Sequence, residues 1–153
     1  ALDALGVQAG GPDGGSLLQR TDPMETTNVL LPTGDRLQIP TGAETLRLKS
    51  FLIMARNNAR DYTELADLVD TMDTHTAAEV LTGMDRYYSG PPAGAQRANT
   101  LNGHWVATQL VRRLADPQPS DGPEFTREGA EAEWARVRQR CLTVAVAMLE
   151  EAR

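Results

Sequence analysis

Apolar residues recur at helical spacing in five stretches of this chain, and this periodicity restricts the fold more than any other feature. The stretches cover residues 42–56, 59–72, 76–88, 104–115 and 130–152. Side chains spaced i, i+3, i+4 and i+7 share one face of a helix. The chain is therefore predicted to be mainly α, with about five helices around one core. The predicted inward stripe of the first helix is Leu48, Phe51, Leu52 and Ala55; that of the second is Tyr62, Leu65, Ala66, Val69 and Met72; that of the last is Trp134, Val137, Cys141, Val144, Ala145 and Met148.

Two capping-box patterns mark predicted helix starts. Thr41 is followed three residues later by Glu44, and Thr76 is followed in the same way by Glu79. In a capping box the hydroxyl accepts a backbone N–H and the carboxylate reaches back to the cap residue. Residues 57–58, Asn-Asn, indicate a break between the first two helices.

The N-terminal part of the chain shows no helical periodicity. Two short apolar runs flank the turn sequence at 32–35, Pro-Thr-Gly-Asp, which predicts a β-hairpin over residues 28–40 with an exposed outer edge. Residues 1–23 are rich in glycine and are predicted to form a flexible segment or linker. Residues 24–153 are then expected to form a single helical domain.

Composition narrows the classes of function. A net charge of −6 argues against binding to bulk polyanions, although the segment from Arg36 to Arg60 carries five basic residues and one acid. The single cysteine, Cys141, excludes an internal disulfide and is predicted to be buried. The two histidines, His75 and His104, are too few and too isolated to suggest zinc. No membrane-length apolar run and no signal peptide are present, which predicts a cytoplasmic protein without a membrane partner.

The one lysine stands out against fourteen arginines. Lysine carries its charge on a compact ammonium group, whereas arginine carries it on a planar, forked guanidinium. A position that contacts a phosphate can therefore require lysine, which makes Lys49 a candidate phosphate contact. A sharp elbow between the first two helices would bring Lys49 and Asp61 into one solvent-accessible cleft, with the carboxylate serving a metal or acting as a base. Alternatively, Asp61 simply stabilises the first turn of its helix.

The run Leu46–Leu52, then Arg56, then the run Arg60–Leu68 resembles the second half of AbiEii/AbiGii-type nucleotidyltransferase toxins from high-GC actinobacteria. The resemblance covers roughly residues 28–150. It implies that Lys49, Arg56 and Arg60 bind a nucleotide and that Asp61 and Glu64 are catalytic. For the full-length family it also implies magnesium, a nucleoside triphosphate and an RNA acceptor.

The metal-binding Asp-x-Asp pair of that family is missing. Residues 14–16, Gly-Gly-Ser, with Asp22 and Glu25 mimic it only superficially, so no metal ligand is predicted in this chain. The chain is thus interpreted as the C-terminal portion of a nucleotidyltransferase-like toxin. Its partners would be its own N-terminal half or an antitoxin, and whether this chain is itself an enzyme stays open. The alternative is a non-catalytic helical protein–protein interaction module.

Overall fold

The computed structural model describes residues 18–90, 104–122 and 125–153, and within them the chain is mainly α. Helices cover most of these residues, and two small antiparallel sheets join β1 to β4 and β2 to β3. The predicted fold class and the predicted N-terminal hairpin are both confirmed. The elements are β1 (Gln19–Arg20), β2 (Thr26–Leu30), β3 (Arg36–Pro40), α1 (Gly42–Arg56), α2 (Ala59–Val69), α3 (Thr74–Thr82), α4 (Met84–Tyr87), β4 (Tyr88–Ser89), α5 (Trp105–Ala115) and α6 (Ala130–Glu151).

The break between α1 and α2 lies at the two predicted asparagines. Asn57 ends α1 with φ 56° and ψ 45°, a left-handed conformation that asparagine tolerates better than most residues. Asn58 then takes an extended conformation and caps α2. The Tyr62 hydroxyl donates a hydrogen bond to the Asn57 side chain, which ties the break to the second turn of α2.

The first predicted capping box is only partly correct, and the second is wrong. Thr41 Oγ1 accepts the Glu44 N–H at 3.1 Å, but the Thr41 N–H donates to the Glu25 carbonyl and not to the Glu44 carboxylate. The third helix begins two residues earlier than predicted, because Asp73 Oδ1 accepts the Thr76 N–H at 2.8 Å and so acts as the cap. The predicted helix 76–88 also divides at residue 83, which leaves α4 as a single turn.

One hydrophobic core lies among the helices, with α6 packed against α2, α3 and α5, and α1 packed against α2, α3 and α5. The predicted stripes of α2 and α6 face this core. The predicted stripe of α1 is wrong in part, since Ala55 is exposed and the buried apolar residues are Leu46, Phe51 and Ile53. Neighbours on several sides cover α1, so one stripe does not describe its burial. Across the described residues, no helix has both the length and the apolar character needed to cross a bilayer.

Cys141 is buried in this core, as predicted. Burial raises the pKa of its thiol to about 12, because a thiolate would lose its hydration there. The side chain therefore behaves as a small apolar group at neutral pH.

The packed structure also reaches further towards the N-terminus than the predicted boundary at residue 23. Leu18 is buried in the core, and β1 pairs with β4 through Gln19 opposite Ser89 and Arg20 opposite Tyr88. Residues 1–17 of the predicted linker lie outside the described residues.

Gly90 follows β4 at a point where the backbone approaches Trp105 closely. A Cβ built on Gly90 would lie 2.0 Å from Cε3 of the indole ring. We expect Gly90→Ala to lower the free energy of unfolding by about 1–3 kcal/mol, because the ring or the backbone must shift. Urea titration followed by far-UV circular dichroism measures this change.

Gly42→Ala is the matched control for Gly90→Ala. A Cβ at Gly42 would meet no atom within 4 Å, so this variant is expected to be as stable as the parent or slightly more stable. Equal unfolding midpoints for the two variants would contradict the close approach at Trp105.

Candidate functional site: an anchored hairpin

Three of the predicted site residues form a partly exposed ion-pair group across α1 and α2. Lys49 Nζ lies 3.4 Å from Glu64 Oε1, and Arg60 Nε lies 3.5 Å from Glu64 Oε2. Glu64 therefore stands between two cations. Ion pairs at this exposure contribute roughly 0–1 kcal/mol each, so they constrain the fold only weakly.

Asp61 belongs to a different environment. Its side chain is fully buried, its two oxygens bind the Arg56 guanidinium, and its Oδ2 accepts the Asn58 N–H at 3.4 Å. The hydrogen bond to Asp61 is the main cause of a raised pKa for Arg56. The expected solvent-accessible cleft shared by Lys49 and Asp61 is therefore wrong, because Asp61 is buried, accepts the N–H of the cap residue Asn58 and faces Arg56.

The positions of these residues do not test the roles that were predicted for them. Nucleotide binding by Lys49, Arg56 and Arg60, and catalysis by Asp61 and Glu64, stay predictions that rest on the resemblance alone. Each of the five side chains has an ionic partner within the described structure.

A buried charge cluster, which the sequence analysis missed, lies at the start of α1. The Glu44 side chain has 0% exposure, and its carboxylate contacts two arginines. Arg20 Nη1 lies 2.7 Å from Glu44 Oε2, and Arg20 Nη2 lies 2.8 Å from Glu44 Oε1. Arg47 Nη1 lies 3.0 Å from the same Oε1. These ion pairs compensate for part of the cost of burying the carboxylate. The spacing of Glu44 and Arg47 was the one sequence signal for this cluster, since i and i+3 are neighbours on a helix.

Two tyrosines enclose the same cluster. The Arg47 guanidinium lies 3.7 Å from the ring centroid of Tyr87, and Arg20 Nη1 lies 3.0 Å from the Tyr88 hydroxyl oxygen. Tyr88 also stacks on Phe51, with ring centroids 5.3 Å apart, and burial is the main cause of its raised pKa. The cluster therefore joins β1, α1, α4 and β4.

The buried charge cluster also holds the base of the β2–β3 hairpin. The Thr41 hydroxyl donates to Glu25 Oε1 at 2.7 Å, and Arg47 Nη1 lies 3.8 Å from the same oxygen. Arg20 Nη2 donates to the Pro23 carbonyl at 2.9 Å. An isolated two-stranded hairpin is only marginally stable in water, so these contacts at its base explain how it is held on the helical domain.

The rest of the hairpin projects into solvent. Leu31 N–H donates to the Asp35 carbonyl at 2.8 Å, and Gly34, at φ 91°, completes the turn in a conformation suited to glycine. Val29 lies opposite Leu37, so these two side chains share one face of the ribbon. Leu30, opposite Arg36, lies on the other face. We call the four exposed apolar residues on the two faces the hairpin surface: Val29 at 37% exposure, Leu30 at 69%, Leu31 at 36% and Leu37 at 49%.

The hairpin surface offers two kinds of contact. In the part of the chain that the structure describes, β2 and β3 pair only with each other, so each has an outer edge with unpaired backbone groups. Such an edge can add a strand from another polypeptide segment. The apolar side chains beside that edge provide the area that such a segment would bury.

The comparisons with known proteins identify transport proteins as relatives. The chain is similar to MmpL11 transport proteins. It is 59% identical over its whole length to the "Probable transport protein MmpL11" of Mycobacterium bovis and to the "Heme uptake protein MmpL11" of Mycobacterium tuberculosis. It is 57% identical to the "Mycolic acid-containing lipids exporter MmpL11" of Mycolicibacterium smegmatis. The chain spans only 15–16% of the length of these curated relatives. No family model and no solved structure matches it.

These relatives overturn the resemblance to nucleotidyltransferase toxins. The predicted toxin–antitoxin function and the nucleotidyltransferase assignment are wrong, because relatives at this identity over the whole chain are named as transport proteins. The misleading motif was a lysine followed by an Arg-Asp pair at a helix start. The structure accounts for that aspartate as the buried capping-box residue in the first turn of α2, a role that many helices share.

Proposed function

We propose that this chain is a non-catalytic protein–protein interaction domain of an MmpL11-type transport protein. The observation that carries the proposal is the hairpin surface, an exposed apolar ribbon held at its base by the buried charge cluster. Exposed apolar patches next to an unpaired strand edge are typical of interaction sites.

We propose that the hairpin surface binds an extended segment from elsewhere in the same transport protein. The matched relatives carry more than five-sixths of their length outside the region that this chain matches. A segment of the same polypeptide is present at high effective concentration, so a modest surface suffices to hold it. A hairpin already anchored at its base loses little conformational freedom on binding, which favours association.

The compartment we propose for this domain is the cytoplasm. The buried, unpaired thiol of Cys141 supports this placement, since proteins with unpaired cysteines are common in reducing compartments.

The experiment replaces the matched segment of the Mycolicibacterium smegmatis exporter with this chain. The parent chimera is compared with one that carries Leu30→Asp and Leu37→Asp. Charges on the hairpin surface oppose docking, and loss of central apolar contacts costs about 2 kcal/mol or more, roughly a thirtyfold weaker association. We expect export of mycolic acid-containing lipids to fall sharply in the double variant, and lipid export by intact cells is the measurement.

Leu142→Asp is the matched control for this experiment. Leu142 is a similarly exposed leucine on α6, away from the hairpin, so its chimera should export lipids as the parent does. Melting temperatures of the isolated chains show whether each variant folds. Export by the Leu30→Asp, Leu37→Asp chimera equal to that of the control would contradict the proposed docking.

A further inference from the structure

A histidine and two glutamates converge where α3 meets the end of α6. His75 and Glu79 lie on α3, and Glu151 is the last residue of α6. His75 Nε2 is 2.9 Å from Glu79 Oε1, and His75 Nδ1 is 3.4 Å from Glu151 Oε2. One ligand atom from each residue lies within 4.8 Å of the other two. All three side chains are accessible from solvent.

Tertiary packing creates this group. His75 and Glu79 are four residues apart and therefore face the same side of α3, an arrangement that also occurs in helical metal sites. Asp73 caps α3 through Thr76 and so fixes where its first turn begins. Glu151 follows far later in the sequence and arrives only because α3 packs along α6. His75 is therefore isolated from other metal-binding residue types in the sequence but lies beside two of them in the fold.

We propose that His75, Glu79 and Glu151 bind a divalent transition-metal ion of the zinc class. One imidazole nitrogen and two carboxylate oxygens are donors that Zn²⁺ accepts at about 2.0–2.2 Å. Three donors at that distance from a tetrahedral ion are about 3.3–3.6 Å from one another. The two carboxylates now contact different ring nitrogens, so the imidazole must turn until one nitrogen faces both glutamates. The exposed side chains have room for this rotation, and one ligand atom of each residue already lies within 4.8 Å of the other two. Water would complete the coordination.

The surroundings favour a cation with bound water. A shallow cavity of about 530 Å³ adjoins the group and gives an ion room to enter with its hydration shell. Its lining adds a further carboxylate, Glu150, and the apolar residues Val146 and Ala147, with neither lysine nor arginine among the described lining residues. The two carboxylates of Glu79 and Glu151 beside one imidazole give the site itself a formal negative charge.

Binding would fasten the first turn of α3 to the last turn of α6. Helix ends fray first when stability is locally low, so a link there stabilises both helices. At an ion concentration 100 times the dissociation constant, we expect the melting temperature to rise by about 5–10 °C for a chain of this size.

The experiment titrates the full chain with ZnCl₂ in a buffer that does not bind metals, using calorimetry and the melting temperature as two readouts. The variants are His75→Ala and the isosteric Glu151→Gln. The matched control is Glu150→Gln, which removes a neighbouring carboxylate that is outside the group. Co²⁺ serves as a spectroscopic probe, because its visible absorption reports nitrogen and oxygen ligands. Ca²⁺ is titrated for comparison.

We expect one equivalent of Zn²⁺ to bind the parent and Glu150→Gln with similar affinity, and at least tenfold weaker in His75→Ala and in Glu151→Gln. Three results would each overturn the proposal: no saturable Zn²⁺ binding up to 1 mM, equal affinity in His75→Ala and the parent, or Ca²⁺ binding as tight as Zn²⁺. None of these outcomes depends on the hairpin surface, so the metal site and the proposed docking function are tested separately.

Discussion

Arg20→Ala is expected to lower the free energy of unfolding by about 3–5 kcal/mol. The substitution removes both short contacts to the Glu44 carboxylate and leaves that buried group with Arg47 as its remaining charged partner. It also removes the donor to the Tyr88 hydroxyl and to the Pro23 carbonyl. Guanidinium chloride unfolding at neutral pH measures the change.

A double-mutant cycle separates the charge pair from the rest of the cluster. Glu44→Gln in the Arg20→Ala background should cost less than it does alone, because the carboxylate that needs Arg20 is then absent. Arg86→Ala is the control. Arg86 forms an exposed pair with Asp22 and lies 5.5 Å from the ring centroid of Tyr87, so its removal is expected to change stability by less than about 1 kcal/mol. An Arg20→Ala effect no larger than that of Arg86→Ala would show that the cluster does not anchor β1.

Asp61→Ala is expected to lower the free energy of unfolding by about 2–3 kcal/mol. The variant loses the acceptor for the Asn58 N–H at the start of α2 and the buried partner of Arg56. Arg56 is about half exposed and can turn to water once the carboxylate is gone. The cost is therefore smaller than for Arg20→Ala, where a carboxylate stays buried. Thermal unfolding followed by circular dichroism provides the measurement.

Glu64→Ala is the natural comparison for Asp61→Ala, three residues further along the same helix. Glu64 pairs with Lys49 and Arg60 at the surface, so its removal should change stability by less than about 1 kcal/mol. Equal effects of the two variants would mean that Asp61 is not the structural cap that its burial indicates.

The helices of this chain were predictable because their signals are local. Val106, Leu110, Val111 and Leu114 of α5 are all buried, and the predicted α2 and α6 stripes also face the core, because each of these helices presents one apolar face. The hairpin was predictable for the same reason, since its turn needs a residue such as Gly34 with positive φ. These features depend on neighbours within one or two turns of the chain.

The candidate sites were less predictable because they join residues far apart in sequence. Arg20 lay in a predicted linker, and nothing near it in the sequence indicates that β1 would place it against Glu44. Lys49 and Asp61 were expected together, yet α2 turns Glu64 towards the lysine and Asp61 towards Arg56. The rotation of two packed helices about their axes decides such pairings.

The sequence by itself determined the helical segments, their approximate ends and the exposed hairpin, because hydrophobic periodicity and turn chemistry act over a few residues. Only the tertiary structure decided which charges are buried together, how the hairpin is anchored, and that His75 and Glu79 meet Glu151. Those arrangements arise from helix packing, in which the core excludes water from Glu44 and Asp61 and so requires a partner for each. A short motif of a lysine and an aspartate does not show which of its side chains the fold buries, which is why the resemblance built on Lys49 and Asp61 misassigned the function.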